Sequence, residues 1–229
     1  MTFTDAPADD RSVASETDDL PLDGQALAAY VAGKLCHDFI SPAGAILSGL
    51  DLLNDPSAQD MRDDAMNLIE QSAKKLAALV QFCRVAFGAA TTAERFTAEE
   101  LRVLVADMVE GGRATLDWQV SETEFAKPAA RALVNLAYLT AAALPSGGVA
   151  TITSAREGQT LVLSGAARGN RARLKPEAAT GLAGHRLGDG LPGQWIQPYW
   201  LWLTVDGAGG DLSVATDEGH VEISARIPL

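Results

Sequence analysis

Cysteine is nearly missing from these 229 residues, with only Cys36 and Cys83 present. Neither has further Cys or His at ligand spacing, which excludes a zinc site. Both fall on apolar helical segments and read as small core hydrophobes. Cations are scarce too: 18 Lys and Arg stand against 30 Asp and Glu, a net charge of −12. That balance argues against nucleic acid or an anionic membrane surface as the main partner, because phosphate would be repelled overall. There is no run of 18 apolar residues and no secretory hydrophobic region, so the chain is expected to be cytoplasmic and to span no membrane. Internal repeats and low-complexity segments are also lacking.

What is there is an ordinary globular composition, 47% hydrophobic and 21% charged, long enough to bury a core in one or two domains. Residues 1–19 carry six acids and one arginine among Ala, Ser, Thr and Pro, the composition of a disordered acidic tail. Asp23 then suits the N-cap of a helix from about Gly24 to Asn54. Asp55 or Ser57 suits the cap of a second helix from about Ala58 to Phe87, with Pro56 fit for a first helical position. Met61, Ala65, Leu68, Ser72, Leu76, Leu79 and Cys83 recur along it at three and four. Two long helices joined by a tight turn make an antiparallel hairpin over residues 20–90. A lone hairpin leaves its stripes bare, and a second copy would cover them in a dimeric four-helix bundle. Residues 87–92 read as a linker.

The first helix contains KLCHDFISPAGAILSGLDLL. Leu35, Phe39, Ala43, Ile46, Leu50 and Leu53 fall within roughly 80° on a helical wheel, whereas His37 lies about 165° from the centre of that stripe. His37 therefore points to water. Asp38 adjoins it, Ser41 follows one turn later on the same side, and Pro42 removes a backbone donor just beyond, loosening the helix.

Residues 91–229 have another texture. Thr97 and Glu100 form a capping box before a short helix closed by Gly111 and Gly112. ATLDWQV reads as a strand, KPAARALVNLAYLTAAAL as a helix with an early proline, and VATITS and TLVLSGA as two strands. A Gly- and Arg-rich loop from Gly165 to Gly190 follows, then a helix through QPYWLWLTVDG and a closing hairpin with turn DEGH. Trp195, Trp200 and Trp202 read as core or interdomain packing. The fold class is α+β, a mostly antiparallel sheet with helices on one face.

HDFISP resembles the H-box of sensor histidine kinases, in which a phosphorylatable histidine is followed by an acid and, five positions on, a proline. LVNLAYLTAAALPSGGVATIT and GGDLSVATDEGHVEISARIPL resemble the N-box helix and closing strands of the kinases' ATP-binding domain. The departures carry as much information. Leu139 stands where the kinases have a magnesium-binding asparagine, Asn135 being one turn earlier. Ser164, Gly165 and Ala166 stand where they have Asp-x-Gly-x-Gly, and QPYWLWLTV replaces the glycine-rich lid. Ile40 stands where the family commonly has a basic residue. A kinase outline with its histidine intact and its nucleotide residues gone resembles histidine phosphotransferases of the ChpT type, with a degenerate ATPase-like α/β sandwich behind the helical hairpin.

That resemblance implies a phosphorelay intermediate. His37 would take a phosphoryl group from the receiver domain of a hybrid histidine kinase and pass it to receiver domains of response regulators, CtrA- and CpdR-like. Asp38 would orient the imidazole, and Ser41 would assist. Gly44, Leu47, Ser48 and Asp51 would form the receiver-docking surface. The protein would be a homodimer with no intrinsic cofactor and no ATP, the Mg2+ coming from the receiver. An active histidine kinase and a non-catalytic receiver-binding adaptor are the rival readings; Leu139 and Ser164 oppose the first, His37 with Asp38 the second. The basic residues Arg168, Arg171, Arg173, Lys175 and Arg186 read as a solvated loop. His185 and His220, in loop and turn contexts, are expected to have no catalytic part.

Overall fold

A computed structural model describes residues 22–88, 92–188 and 190–229. The expected acidic tail, Asp189 and part of the expected linker lie outside the described residues. Helix α1 (Gly24–Asn54) is capped as its sequence suggests, Asp23 Oδ1 accepting from the Ala26 amide at 2.8 Å. It continues without a break through Pro42, whose ring is buried. Tertiary contact holds the helix in place of the one backbone bond that proline forfeits.

The turn beyond α1 differs from expectation. Neither Asp55 nor Ser57 caps the next helix, and Pro56 lies in the turn rather than in a helical first position. Asp55 Oδ1 instead accepts from the Ser57 amide and hydroxyl, at 2.8 and 2.7 Å. Those two donors, the hydroxyl foremost, hold its carboxyl below the usual carboxylate range. The chain makes a 3-10 turn at Gln59–Met61 before α2 (Arg62–Ala86) begins.

Within the chain, a face of α1 other than the leucine stripe packs inward. The face against α2 carries the buried Lys34, Pro42 and Gly49, about 95° around the helix from the centre of the leucine stripe. Gly49 allows the close approach: a Cβ there would meet Ile69 Cγ1 at 2.6 Å and the Ala65 carbonyl at 3.1 Å. Leu35, Phe39, Ala43, Ile46 and Leu53 are only partly buried and Leu50 is 42% exposed. On α2, Met66 (51%) and Val80 (39%) are exposed as well.

The remainder is α3 (Ala98–Val109), α4 (Lys127–Ala142), α5 (Pro176–Leu182) and α6 (Pro192–Asp206) on one side of a sheet. Its strands are β2 (Ala114–Gln119), β4 (Gly148–Glu157), β5 (Thr160–Arg168), β6 (Asp211–Asp217) and β7 (His220–Pro228), in the order β2-β4-β5-β7-β6, with β2 and β4 parallel and the other pairs antiparallel. A separate antiparallel pair joins β1 (Arg95–Thr97) to β3 (Glu124–Ala126). The Thr97–Glu100 capping box closes as expected. Leu161, Leu163 and Ala167 of β5 and Val221, Ile223 and Ala225 of β7 alternate inward, the period of a sheet buried on one face. The fold is thus a mixed α+β one, a helical hairpin followed by a sheet layered with helices. The supposed loop 165–190 is shorter than expected: β5 runs on to Arg168, α5 occupies its middle, and α6 starts at Pro192.

Helix α6 ties the two parts together. Trp195 and Tyr199 stack at 4.7 Å, and Tyr30 of α1 meets the Trp195 ring edge-on at 5.6 Å. At the end of α2, the Ala86 carbonyl accepts from Asn135 Nδ2 and from Trp200 Nε1, both at 2.9 Å. Gln197 Nε2 donates to Asn135 Oδ1 at 3.1 Å, so the buried Asn135 amide avoids the roughly 1–3 kcal/mol cost of an unmatched polar group. Phe82 and Val85 of α2 and Phe87 just beyond it share one apolar cluster with Leu101, Leu133 and Ile152.

Candidate functional site

His37 stands on the open face of α1 with its side chain 83% exposed. Its Nδ1 lies 3.1 Å from Asp38 Oδ1, and the other carboxylate oxygen, Oδ2, accepts from Lys34 Nζ at 2.6 Å. The three residues form a line from ammonium to carboxylate to imidazole. A carboxylate on Nδ1 favours the tautomer with its proton there, leaving Nε2 as a bare lone pair facing solvent. An imidazole so oriented is a nucleophile. Ser41, Gly44, Leu47, Ser48 and Asp51 continue along the same exposed side, Leu47 at 62%. Ile40, 71% exposed, adds apolar surface that the expected docking set did not include.

Beside this line lies a cleft of about 370 Å3 between α1 and the second half of the chain. Lys34, His37 and Asp38 form one wall, and Tyr138, Leu139 and Ala142 of α4 another. Gln194, Gln197 and Pro198 of α6 close the far side. Leu139 presents only carbon to the cleft. Ser164 lies on β5 with its hydroxyl donating to Ser224 Oγ at 3.2 Å, and Gly165 packs so tightly that a Cβ would strike Thr140 Oγ1 and Leu136. Among the described residues no group of three or more His, Cys, Asp or Glu is placed to hold a metal ion.

The structure brings Arg173 and Lys175 of the basic segment to the cleft's rim; Arg168, Arg171 and Arg186 do not line it. His185 and His220 lie elsewhere: the His185 carbonyl accepts from Trp195 Nε1 at 3.0 Å, and His220 opens β7. The trio's missing member in the sequence reading was Lys34. Its signal, a lysine four residues before Asp38 and three before His37, is the same as that of any ordinary surface pair.

The cysteines also divide. Cys36 is exposed, not a core residue as expected, whereas Cys83 is partly buried. Burial pushes the Cys83 thiol up to about 11, with Lys34 pulling weakly down and Asp38 up. Burial likewise raises Tyr138 and keeps its phenol neutral. Near neutral pH the Cys83 thiol is thus held protonated, the unreactive form. Iodoacetamide should therefore label Cys36 and spare Cys83 in the folded protein, with both labelled after denaturation; peptide mass mapping reads the difference, and rapid labelling of native Cys83 would contradict its burial.

A family model described as the histidine phosphotransferase C-terminal domain matches residues 98–220. The chain belongs to the histidine phosphotransferase family. It is 27% identical over 201 residues to protein phosphotransferase ChpT of Brucella abortus (strain 2308), covering 87% of this chain and 95% of that relative. A solved bacterial phosphotransferase superposes with a TM-score of 0.80 at 25% identity, over 91% of this chain and 99% of that one. The histidine kinase domain of the blue-light activated kinase from Erythrobacter litoralis matches more loosely, with a TM-score of 0.46 at 12% identity over 82% of this chain and 95% of that one. The exposed His37 lies on the helical hairpin, outside the matched region and beside the cleft that region helps to form.

Proposed function

We propose that the protein is the intermediate of a phosphorelay and carries a phosphoryl group on Nε2 of His37. The observation that carries this is the exposed imidazole with Nδ1 engaged by Asp38 and Nε2 open. Membership of the phosphotransferase family and the likeness to protein phosphotransferase ChpT support it. In the forward step the Nε2 lone pair attacks the phosphorus of an aspartyl phosphate on a receiver domain. The N–P bond forms as the acyl P–O bond breaks, and the receiver's carboxylate leaves with its electron pair. Asp38 holds the Nδ1 proton and offsets the positive charge the ring gains. In the return step a carboxylate of a second receiver attacks phosphorus, and neutral imidazole departs. Mg2+ held by the receiver's acidic pocket supplies charge neutralisation at the phosphoryl oxygens.

The partners are receiver domains, first of a hybrid histidine kinase and then of response regulators of the CtrA and CpdR kind. They dock on Gly44, Leu47, Ser48 and Asp51, with Ser41 beside the phosphoryl group. The protein works as a homodimer in the cytoplasm. The half-bare stripe of α1 and the exposed Met66 and Val80 of α2 support the dimer: a four-helix bundle needs each helix to offer one face to its own hairpin and an adjacent one to the partner. None of the described helices is long and apolar enough to cross a membrane.

ATP has no part in this function. Leu139, Ser164 and the tightly packed Gly165 support that reading, since they remove a metal ligand, an adenine-reading carboxylate and room for the base. Mixed with a phosphorylated receiver, the protein should acquire acid-labile, base-stable phosphate and pass it to a second receiver. Incubated with magnesium-ATP alone it should stay unlabelled and give no heat of binding in calorimetry. Micromolar ATP affinity with self-labelling would replace phosphotransfer by kinase activity.

A further inference from the structure

Among the described residues Lys34 is the one charged residue that the fold buries, at 8% exposure. Enclosing an ammonium ion costs several kcal/mol unless a partner offsets it, and a lysine four residues before an acid is the weaker order for stabilising a helix. Helix stability is thus a poor account of its place. Its surroundings give a better one. Nζ lies 2.6 Å from Asp38 Oδ2, and Asp38 itself is 24% exposed on its side chain. With Oδ2 bonded to the ammonium, the carboxylate is restrained from turning into solvent, and Oδ1 lies 3.1 Å from His37 Nδ1. Held by nothing, an aspartate next to an exposed histidine would spend much of its time bonded to water, and the imidazole would revert to the tautomer favoured by free histidine, with the proton on Nε2. In that tautomer the nitrogen facing the receiver has no lone pair to give.

We propose that Lys34 is a positioning residue of phosphotransfer: it fixes Asp38, and through Asp38 the tautomer and heading of the His37 ring. The proposal rests on the phosphoryl-carrying role of His37 given above. It predicts that the line Lys34–Asp38–His37 acts as a unit, so that the ammonium matters to a nucleophile it does not touch. Lys34→Met keeps the buried stem and removes the charge; Lys34→Arg keeps charge and donor.

Two measurements on the full chain decide it. Nitrogen-15 NMR of the histidine rings reads the His37 tautomer directly and needs no activity. Rapid-quench transfer from a phosphorylated receiver, at saturating and subsaturating concentrations, separates the rate of the chemical step from receiver affinity. In Lys34→Met the Nδ1-protonated population should fall toward that of free histidine. The saturated transfer rate should drop about ten- to a hundredfold, the range for losing a second partner that orients a histidine, with receiver affinity within about twofold. Lys34→Arg should keep the tautomer and recover most of the rate. Wild-type tautomer and rate in Lys34→Met would overturn the proposal. So would equal losses in both variants accompanied by a lowered melting temperature, which would make Lys34 a packing residue. A wild-type protein that takes no label from receivers would overturn phosphotransfer itself, and the tautomer of Lys34→Met would still decide whether Lys34 sets the ring.

Discussion

His37→Ala should take no label from a phosphorylated receiver, while still binding that receiver and melting where the unaltered protein melts. The side chain removed is 83% exposed, so stability should change by no more than about 0.5 kcal/mol. Docking should persist because Gly44, Leu47, Ser48 and Asp51 remain on the same open side of α1. Asp38→Asn is the graded companion. It keeps the shape but loses the charge that holds the Nδ1 proton, and transfer should slow by about tenfold to ten-thousandfold, the range for losing an oriented acid or base partner. The amide also leaves buried Lys34 without its anion, a cost of up to about 3–5 kcal/mol, so a thermal melt must accompany the assay. Label on the His37→Ala protein would move the active site elsewhere, since His185 and His220 are the other histidines.

Leu50→Asp should halve the mass of the protein in solution. Within one chain Leu50 is 42% exposed, so a carboxylate there costs the monomer little. Between two copies it would sit in the seam of the bundle, twice over, unpaired and out of water. Several kcal/mol per buried charge is enough to separate most dimers at micromolar concentration. Helix content by circular dichroism should largely survive, because the clusters that join α2, α4 and α6 lie within one chain. Sedimentation or solution scattering reads the outcome. A wild-type monomer, or an undisturbed dimer in Leu50→Asp, would show that the leucine stripe is not the dimer seam.

Much of the fold was legible because its signals are local. A cap needs one acceptor and one amide three residues apart, and both Asp23 and the Thr97–Glu100 box were found where the sequence placed them. Long amphipathic periods gave α1 and α2 nearly to their ends, and the period of two gave β5 and β7. The three-residue strands β1 and β3 left no period to read; each exists because the other lies alongside. Helix α5 was hidden in a run of Gly and Arg, and packing against α6 makes it a helix: a Cβ on Gly181 would meet the Trp195 carbonyl and the Tyr199 amide nitrogen, both at 2.7 Å.

The site divides the same way. That His37 faces water beside an acid followed from 100° per residue and nothing more. That Lys34 is buried did not follow, because a helical wheel ranks faces by apolarity and cannot tell which one the rest of the chain will cover. The leucine stripe outranked every other face of α1, yet α2 took the adjacent one, where Gly49 lets backbones approach, and α6 one further round, where Tyr30 meets Trp195. The sequence by itself determined the longer elements, the exposed histidine and its acidic neighbour, since these depend on residues within one or two turns. Only the tertiary structure decided which face of α1 is enclosed, that a lysine stands behind Asp38, and that Arg173, Lys175 and Leu139 meet at one cleft beside His37. These depend on which surfaces meet, from α1 against α2 at Gly49 to segments more than a hundred residues apart at the cleft, and steric fit rather than local preference selects one arrangement.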